Sequence, residues 1–216
     1  MTKAYKGMAM EGMIARWYTN NTRQGRDFDV LAKRVSEIVP TGGCVLEVAP
    51  GPGFLSIEMA KMGKYQVSGV DISKTFVQIE QANAKEAGVE IDFRQGDAAN
   101  LPFEDGCFDF VICTAAFKNF TRPTQALGEM YRVLRPQGKA LVIDLRSDAS
   151  RDEINREVKK MGLNWINTVL TKWTFSQFLL KNAYAEEQIR AFLSEAGIPQ
   201  SRIQSAGIGL EIWLEK

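Results

Sequence analysis

The sequence contains no histidine. Histidine is the side chain most often used for proton transfer near neutral pH, and it is the commonest metal ligand. Its absence excludes histidine-based hydrolytic sites and histidine metal centres, and we expect no metal site. Any mechanism for this chain must work without an imidazole.

Cysteine is also scarce, with Cys44, Cys107 and Cys113 and no Cys-x-x-Cys spacing. Two of the three lie in apolar, strand-like runs, where buried free thiols are common. The first 18 residues carry charges within each apolar stretch, so we expect no secretory signal. An odd cysteine number without such a signal favours a reducing compartment, and we therefore expect structural thiols and a cytoplasmic location.

The net charge is only +1, and long apolar runs are absent. Lys plus Arg number 27 and Asp plus Glu number 26, which provides no overall field to attract a polyanion. No apolar run approaches the roughly 20 residues that span a bilayer. We therefore expect no nucleic-acid partner and no membrane span. With 216 residues, 45% of them apolar, the chain can bury a large core.

Strand-like runs alternate with helical stretches through the middle of the chain. The runs are 44–49, 66–72, 89–95, 108–115 and 138–146. The helical stretches between them are 54–62, 74–87, which Ser73 begins and Gly88 ends, and 124–134. This alternation predicts right-handed crossovers and a parallel sheet covered on both faces.

The C-terminal part has a different pattern. A predicted helix over 186–196 precedes two runs, 201–206 and 210–214, joined by Gly207-Ile208-Gly209. Runs joined so tightly indicate a hairpin. The complete prediction is an α/β fold with a doubly wound, mainly parallel seven-stranded sheet and a C-terminal antiparallel hairpin strand.

Two apolar segments fall outside this pattern, residues 1–25 and residues 150–183. Trp165, Val169 and Trp173 in the second segment recur every four residues and share a helix face. Either the segments cover the core, or they roof a pocket at the C-terminal ends of the strands, where open α/β sheets bind ligands.

The turn after the first strand, in LEVAPGPGFL (46–55), resembles a nucleotide-binding loop. A dinucleotide fingerprint would place glycine where this chain has Ser56. Pro50 and Pro52 lack the backbone N–H groups that a pyrophosphate site requires. A phosphate cradle is therefore disfavoured.

Acidic residues lie in or after successive strands. Asp71 can accept hydrogen bonds from both hydroxyls of a ribose, Asp97 from an adenine amino group, and Glu47 lies before the loop. Each also has a structural interpretation, as a helix N-terminal charge, a turn former and a satisfied buried acid respectively. The joint placement of the three acids along successive strands favours the functional interpretation over the structural one.

Five ordered motifs now resemble one known family. They are residues 45–53, 69–73, 95–98 with Leu101-Pro102-Phe103, 108–111, and 134–138. The chain resembles the class I S-adenosylmethionine-dependent methyltransferases. It is most similar to their small-molecule branch of ubiquinone/menaquinone methyltransferase-like (methyltransferase type 11) proteins.

The resemblance implies S-adenosylmethionine as cofactor, with S-adenosylhomocysteine as product. The implied cofactor-binding residues are Glu47, Ala49, Gly51, Gly53, Asp71, Ile72, Asp97, Ala98, Thr114 and Ala115. The backbone near Thr114 and Ala115 would accept from the cofactor's ammonium group. Ala49 departs from the family, which usually has glycine there, and its methyl group narrows the loop.

The resemblance also implies one methyltransferase domain over 1–216. Its parts are an N-terminal helical cap (1–40), a cofactor-binding core (44–146), a helical lid or acceptor region (150–183), and a final helix and hairpin (184–216). We expect a monomer or a homodimer.

The expected reaction is methyl transfer to a small, apolar or aromatic acceptor by in-line attack on the sulfonium methyl. Candidate acceptor-side residues are Tyr18, Lys118, Asp144, Arg146 and Tyr184, and no catalytic residue is assigned. The alternatives are a non-catalytic S-adenosylmethionine-binding protein of the same fold and, less favoured, an NAD(P)-dependent reductase.

Overall fold

A computed structural model describes residues 5–6, 10–22, 28–160 and 180–216. The strands are β1 (Cys44–Val48), β2 (Gln66–Asp71), β3 (Asp92–Gln95), β4 (Phe108–Thr114), β5 (Leu134–Leu145), β6 (Ser201–Ala206) and β7 (Gly209–Glu215). The helices are α1 (Gly12–Thr22), α2 (Phe28–Ser36), α3 (Phe54–Lys61), α4 (Lys74–Ala87), α5 (Pro123–Arg132), α6 (Arg151–Lys160) and α7 (Glu186–Glu195). None of these helices has the length and apolar character that crossing a membrane requires.

The seven strands form one sheet in the order β3-β2-β1-β4-β5-β7-β6. Neighbours from β3 to β5 pair in parallel, and β7 pairs antiparallel with both β5 and β6. The predicted doubly wound α/β fold with its antiparallel hairpin strand is therefore confirmed.

The central strands bury side chains on both faces because helices cover both. Val45 of β1 packs in a cluster with Ala32 and Val35 of α2, and the next residue, Leu46, packs in a cluster with α5 and α7 on the opposite face. Successive strand side chains point to opposite faces, which explains the near-continuous apolar runs. The same alternation places Glu47 on the α3 side.

The caps of α4 were predicted correctly. The Ser73 hydroxyl accepts from the Phe76 N–H at 3.0 Å, and Gly88 ends the helix with a φ of 69°. Glycine adopts this left-handed conformation without a Cβ penalty.

Two predicted boundaries were wrong. The first residues assigned to β3, 89–91, instead form the link that follows α4, where the Val89 N–H donates to the Ala84 carbonyl, and β3 begins at Asp92. α5 ends at Arg132 and β5 begins at Leu134, which pairs with Phe108 before an irregularity in the register.

The predicted helix face of Trp165, Val169 and Trp173 lies in residues 161–179, outside the described part of the chain. The proposed division into cap, core, lid and final hairpin therefore stays a prediction.

Candidate functional site

A cavity of about 570 Å³ opens at the carboxyl ends of β1, β2 and β4. β1 lies between β2 and β4, so the chain winds outward in opposite directions from this point. Such a switch point is where open α/β sheets bind ligands. The position of the cavity thus follows from the strand order.

The cavity brings together most of the residues predicted to bind the cofactor. Nine of them line it: Glu47, Ala49, Gly51, Asp71, Ile72, Asp97, Ala98, Thr114 and Ala115. Gly53 is not among the lining residues and lies against α4, where an added Cβ would be 3.2 Å from Glu80 Cγ. Of the acceptor-side candidates, Tyr18 and Lys118 line the cavity.

The loop after β1 uses its backbone donors internally. The Ala49 N–H donates to the Val70 carbonyl, the Gly51 N–H to Asp71, and the Gly53 N–H to the Pro50 carbonyl. Proline has no N–H, so Pro50 and Pro52 add no donor. Residues 49–53 therefore have no unbonded backbone N–H for a pyrophosphate.

Asp71 ends β2 and joins the loop to the start of α4. Its carboxylate accepts from the Gly51 N–H at 3.1 Å and from the Ser73 N–H at 2.8 Å. Burial raises the pKa of Asp71 to about 6, although the hydrogen bonds from Ser73 and Gly51 oppose the rise. Each carboxylate oxygen retains a further lone pair that can accept from a ligand hydroxyl.

Two more carboxyl groups lie around the same loop. Glu47 accepts from the Ser56 hydroxyl of α3 at 2.5 Å, so the serine at the third-glycine position has a structural role. Glu80 of α4 is fully buried, and neither of its carboxyl oxygens has a hydrogen-bond partner in the described structure. Burial, with a smaller contribution from the charges of Asp71 and Glu47, raises the pKa of Glu80 to about 10. Glu80 was not predicted as a site residue, because its sequence context is that of an ordinary helix.

The loop after β3 holds Asp97 at the cavity edge. Asp97 accepts from the Ala99 N–H at 2.9 Å and from the guanidinium of Arg122 at 2.6 Å. Arg122 was not predicted, because it lies 25 residues away in the sequence. Ile72 presents an apolar side chain to the cavity and is 41% exposed, a suitable surface for a planar ring.

Lys118 and Asp144 form a buried ion pair behind the end of β4. The Lys118 ammonium donates to Asp144 Oδ1 at 2.9 Å and also to the Ala115 carbonyl. Asp144 lies on β5 and is not among the described lining residues, although its partner Lys118 is.

Arg146 and Tyr184 also lie away from the cavity lining. Arg146 forms ion pairs with Asp148 and Glu153, so its guanidinium is already paired within the protein. The Tyr184 hydroxyl donates to the Phe120 carbonyl at 2.6 Å, and burial raises the pKa of Tyr184 to about 12.

The described part of the N-terminal segment caps the start of α4. This capping contact holds the segment beside the cavity. Glu11 accepts from the Lys74 and Thr75 N–H groups at 3.0 and 3.1 Å, and the Ser73 hydroxyl donates to the Met10 carbonyl. These contacts place α1 over the opening, where Trp17 and Tyr18 line the cavity. The described part of this segment thus contributes to the cavity lining, and its function as a pocket roof stays a prediction.

Tyr5 also lines the cavity and was missed. It forms a bridge with Phe120, and the Lys6 N–H donates to the Asn119 carbonyl at 2.7 Å. Burial is the largest cause that raises the pKa of Tyr5 to about 12. These contacts join positions more than 100 residues apart, which no local pattern indicates.

Within the described residues, no group of three or more Cys, Asp or Glu side chains is arranged to hold a metal ion. The site is instead a cavity lined by carboxylates, by the proline-containing loop after β1 and by the apolar side chain of Ile72. The seven-stranded sheet with this order, and the cavity at its switch point, agree with the class I methyltransferase fold that the sequence motifs resemble.

Comparisons with known proteins support this class. A family model described as "Methyltransferase domain" matches residues 46–142. A demethylmenaquinone methyltransferase from Thermus thermophilus is 37% identical over 101 residues, 46% of each chain. A ubiquinone biosynthesis O-methyltransferase from Xanthomonas axonopodis is 27% identical over 179 residues, 82% of this chain and 71% of the relative. The chain spans about half the length of the first curated relatives that it matches.

The fold also matches solved structures. A Methanococcus maripaludis protein assigned to the S-adenosyl-L-methionine-dependent methyltransferases aligns with a TM-score of 0.76 and 22% identity, over 100% of this chain and 97% of the other. The fold is therefore that of solved S-adenosyl-L-methionine-dependent methyltransferases, and residues 46–142 match the methyltransferase domain model.

Proposed function

We propose that this protein transfers a methyl group from S-adenosylmethionine to a small, apolar or aromatic acceptor. The observation that carries the proposal is the joint placement of Asp71, Ile72 and Asp97 around one cavity at the switch point of the sheet. Carboxylates suit the hydroxyls and the amino group of adenosine, and Ile72 suits its ring.

The described residues fit this cofactor better than they fit a dinucleotide. The backbone N–H groups of residues 49–53 are engaged within the protein, so a pyrophosphate would lack donors there. S-adenosylmethionine has no phosphate and needs mainly acceptors for its hydroxyl and amino groups. In this proposal Asp71 holds the ribose, Asp97 and Ala98 meet the adenine edge, and the loop from Ala49 to Gly53 packs against the amino-acid part.

When bound, the cofactor supplies a methyl group on a positively charged sulfur, which is already a good leaving group. The protein's contribution is then mainly to orient two reactants, a contribution that reaches about 7–11 kcal/mol in well-aligned systems. Each carboxylate among the described lining residues accepts a hydrogen bond from the protein. We therefore assign positioning, rather than proton abstraction, to these acids.

An aromatic acceptor is supported by the roof and wall of the cavity. The described aromatic lining residues are Tyr5, Trp17, Tyr18, Phe28, Phe76 and Phe120. The two curated relatives are named as a demethylmenaquinone methyltransferase and a ubiquinone biosynthesis O-methyltransferase, and both names refer to quinones. We propose an acceptor with an aromatic or quinonoid ring.

Calorimetry with S-adenosylhomocysteine tests the cofactor, and a metabolite extract incubated with methyl-labelled S-adenosylmethionine tests the transfer. We expect saturable binding, its loss in Asp71→Ala, and label in an aromatic compound. Lack of binding to the wild-type protein would overturn the proposal. An NAD(P)H fluorescence titration provides the comparison with a reductase.

A non-catalytic S-adenosylmethionine-binding protein is the second candidate. It is favoured by the absence, among the described lining residues, of a carboxylate that is not already hydrogen-bonded. Turnover separates the two candidates, since both predict cofactor binding and only an enzyme transfers label.

A further inference from the structure

The Lys118 ammonium lies where the proposed function needs an acceptor for the cofactor. It donates to the carbonyl of Ala115, a residue that lines the cavity after β4. The resemblance on which the proposed function rests implies that the backbone near Thr114 and Ala115 accepts from the ammonium group of S-adenosylmethionine. The protein therefore already has a cation of its own on this backbone carbonyl.

The position of Lys118 is fixed by Asp144. The Asp144 carboxylate accepts from the Lys118 ammonium at 2.9 Å, from the Lys118 N–H at 2.8 Å and from the Leu145 N–H at 2.7 Å. The side chains of Lys118 and Asp144 are only 11% and 1% exposed. Separating a buried ion pair leaves each charge buried without a partner, which is strongly destabilising. The pairing with Asp144 therefore keeps the Lys118 ammonium in place.

The Ala115 carbonyl is aimed by its backbone conformation. Ala115 has a φ of 57°, and its N–H donates to the Ile143 carbonyl of β5 at 2.7 Å. The carbonyl oxygen of Ala115 accepts from the Lys118 ammonium. A second ammonium at the same oxygen would face the charge of the first at short range, in surroundings that screen it poorly.

We propose that Lys118 is a specificity-determining residue that weakens binding of the amino-acid end of the cofactor and of its product. Lys118 and the ligand ammonium compete for the Ala115 carbonyl, so Lys118 must withdraw or the ligand must bind without that hydrogen bond. The adenosine end is unaffected, since Asp71 and Asp97 lie at the ends of β2 and β3. This inference rests on the proposed function.

Two ligands separate the two ends of the site. S-adenosylhomocysteine carries the ammonium group, whereas 5′-methylthioadenosine has the same adenosine and thioether without the amino acid. We expect Lys118→Met to lower the calorimetric Kd for S-adenosylhomocysteine about tenfold, the ratio that one charged hydrogen bond supplies. The Kd for 5′-methylthioadenosine should stay unchanged.

Lys118→Met leaves Asp144 buried without its cation, so the double variant Lys118→Met with Asp144→Asn accompanies it, and thermal unfolding checks both. The double variant should also bind S-adenosylhomocysteine more tightly, because the Ala115 carbonyl is released in both. Lys61→Met removes the same charge from the ion pair that Lys61 forms with Glu58, and should change neither Kd.

An unchanged or higher Kd for S-adenosylhomocysteine in the folded double variant would overturn the inference. A higher value would mean that Lys118 instead binds the ligand carboxylate. Failure of the wild-type protein to bind either ligand would overturn the proposed function, and the inference with it. Parallel tightening of both ligands would also contradict the inference, because it would place the effect outside the amino-acid end.

Discussion

Ala49 and Ala115 follow the neighbouring strands β1 and β4 and have the same left-handed backbone conformation, with φ of 57° in each. Both line the cavity. This conformation costs a residue with a Cβ about 1–2 kcal/mol, and such strain is commonly found at functional sites. It also gives a physical reason for the glycine that the family usually has at the position of Ala49.

Replacing Ala49 by glycine should stabilise the protein. Glycine removes the left-handed strain but loses more conformational entropy on folding, so we expect a net gain of about 0.5–1 kcal/mol in the free energy of unfolding. Urea denaturation measures the gain. The matched control is Ala82→Gly in the exposed interior of α4, which should lose about 1 kcal/mol. Equal losses in both variants would contradict the strain argument.

Glu80 should make the protein less stable as pH rises. Its pKa is about 10 in the folded protein and 4.5 for the free side chain, so the folded state retains a proton that the unfolded state releases between these values. The contribution of Glu80 to stability is therefore fully present below pH 4.5 and is lost progressively toward pH 10, by at most about 1.4 kcal/mol per pH unit.

Chemical denaturation of Glu80→Gln between pH 7 and pH 9 tests this prediction. The amide cannot ionise, so its stability should vary less with pH than that of the wild type. Glu86→Gln, on the exposed side of the same helix, should retain the wild-type slope. A wild-type slope in Glu80→Gln would show that Glu80 is not the responsible group.

Asp71 should make cofactor binding depend on pH. Only the ionised carboxylate offers both oxygens to a ribose, and burial raises the pKa of Asp71 to about 6. The Kd for S-adenosylhomocysteine should therefore rise about tenfold as pH falls from 7 to 5. Calorimetry at each pH measures it. Asp71→Asn should bind weakly at every pH, and a pH profile that this variant retains would assign the titration to another group.

Arg122 should contribute to cofactor affinity more than to stability. Its ion pair with Asp97 is partly exposed, and such pairs contribute less than about 1 kcal/mol to stability. Without it, Asp97 keeps the Ala99 N–H as its donor among the described residues, and we expect Arg122→Gln to raise the Kd for S-adenosylhomocysteine about threefold. The control is Arg94→Gln, which removes a similar exposed pair with Asp92 outside the cavity lining and should leave the Kd unchanged.

The sequence alone determined the sheet and the kind of loop. Apolar alternation depends on local geometry, because a strand repeats every two residues and a helix every 3.6. The caps of α4 at Ser73 and Gly88 could be predicted for the same reason. Pro50 and Pro52 lack a backbone N–H in any fold, so the sequence alone excludes them as hydrogen-bond donors. The acids at the ends of β2 and β3 had to converge, since parallel strands end at one edge of the sheet.

The tertiary structure decided which charged groups pair at that edge. Glu11 caps α4 from 63 residues away, and Lys118 reaches Asp144 over 26 residues. The packing of elements that are distant in the sequence determines these partners, so local periodicity could not predict them. The burial of Glu80 and the occupied Ala115 carbonyl have the same origin. The sequence determined which class of cofactor the site resembles, and only the folded chain determined which of its own groups the cofactor must meet.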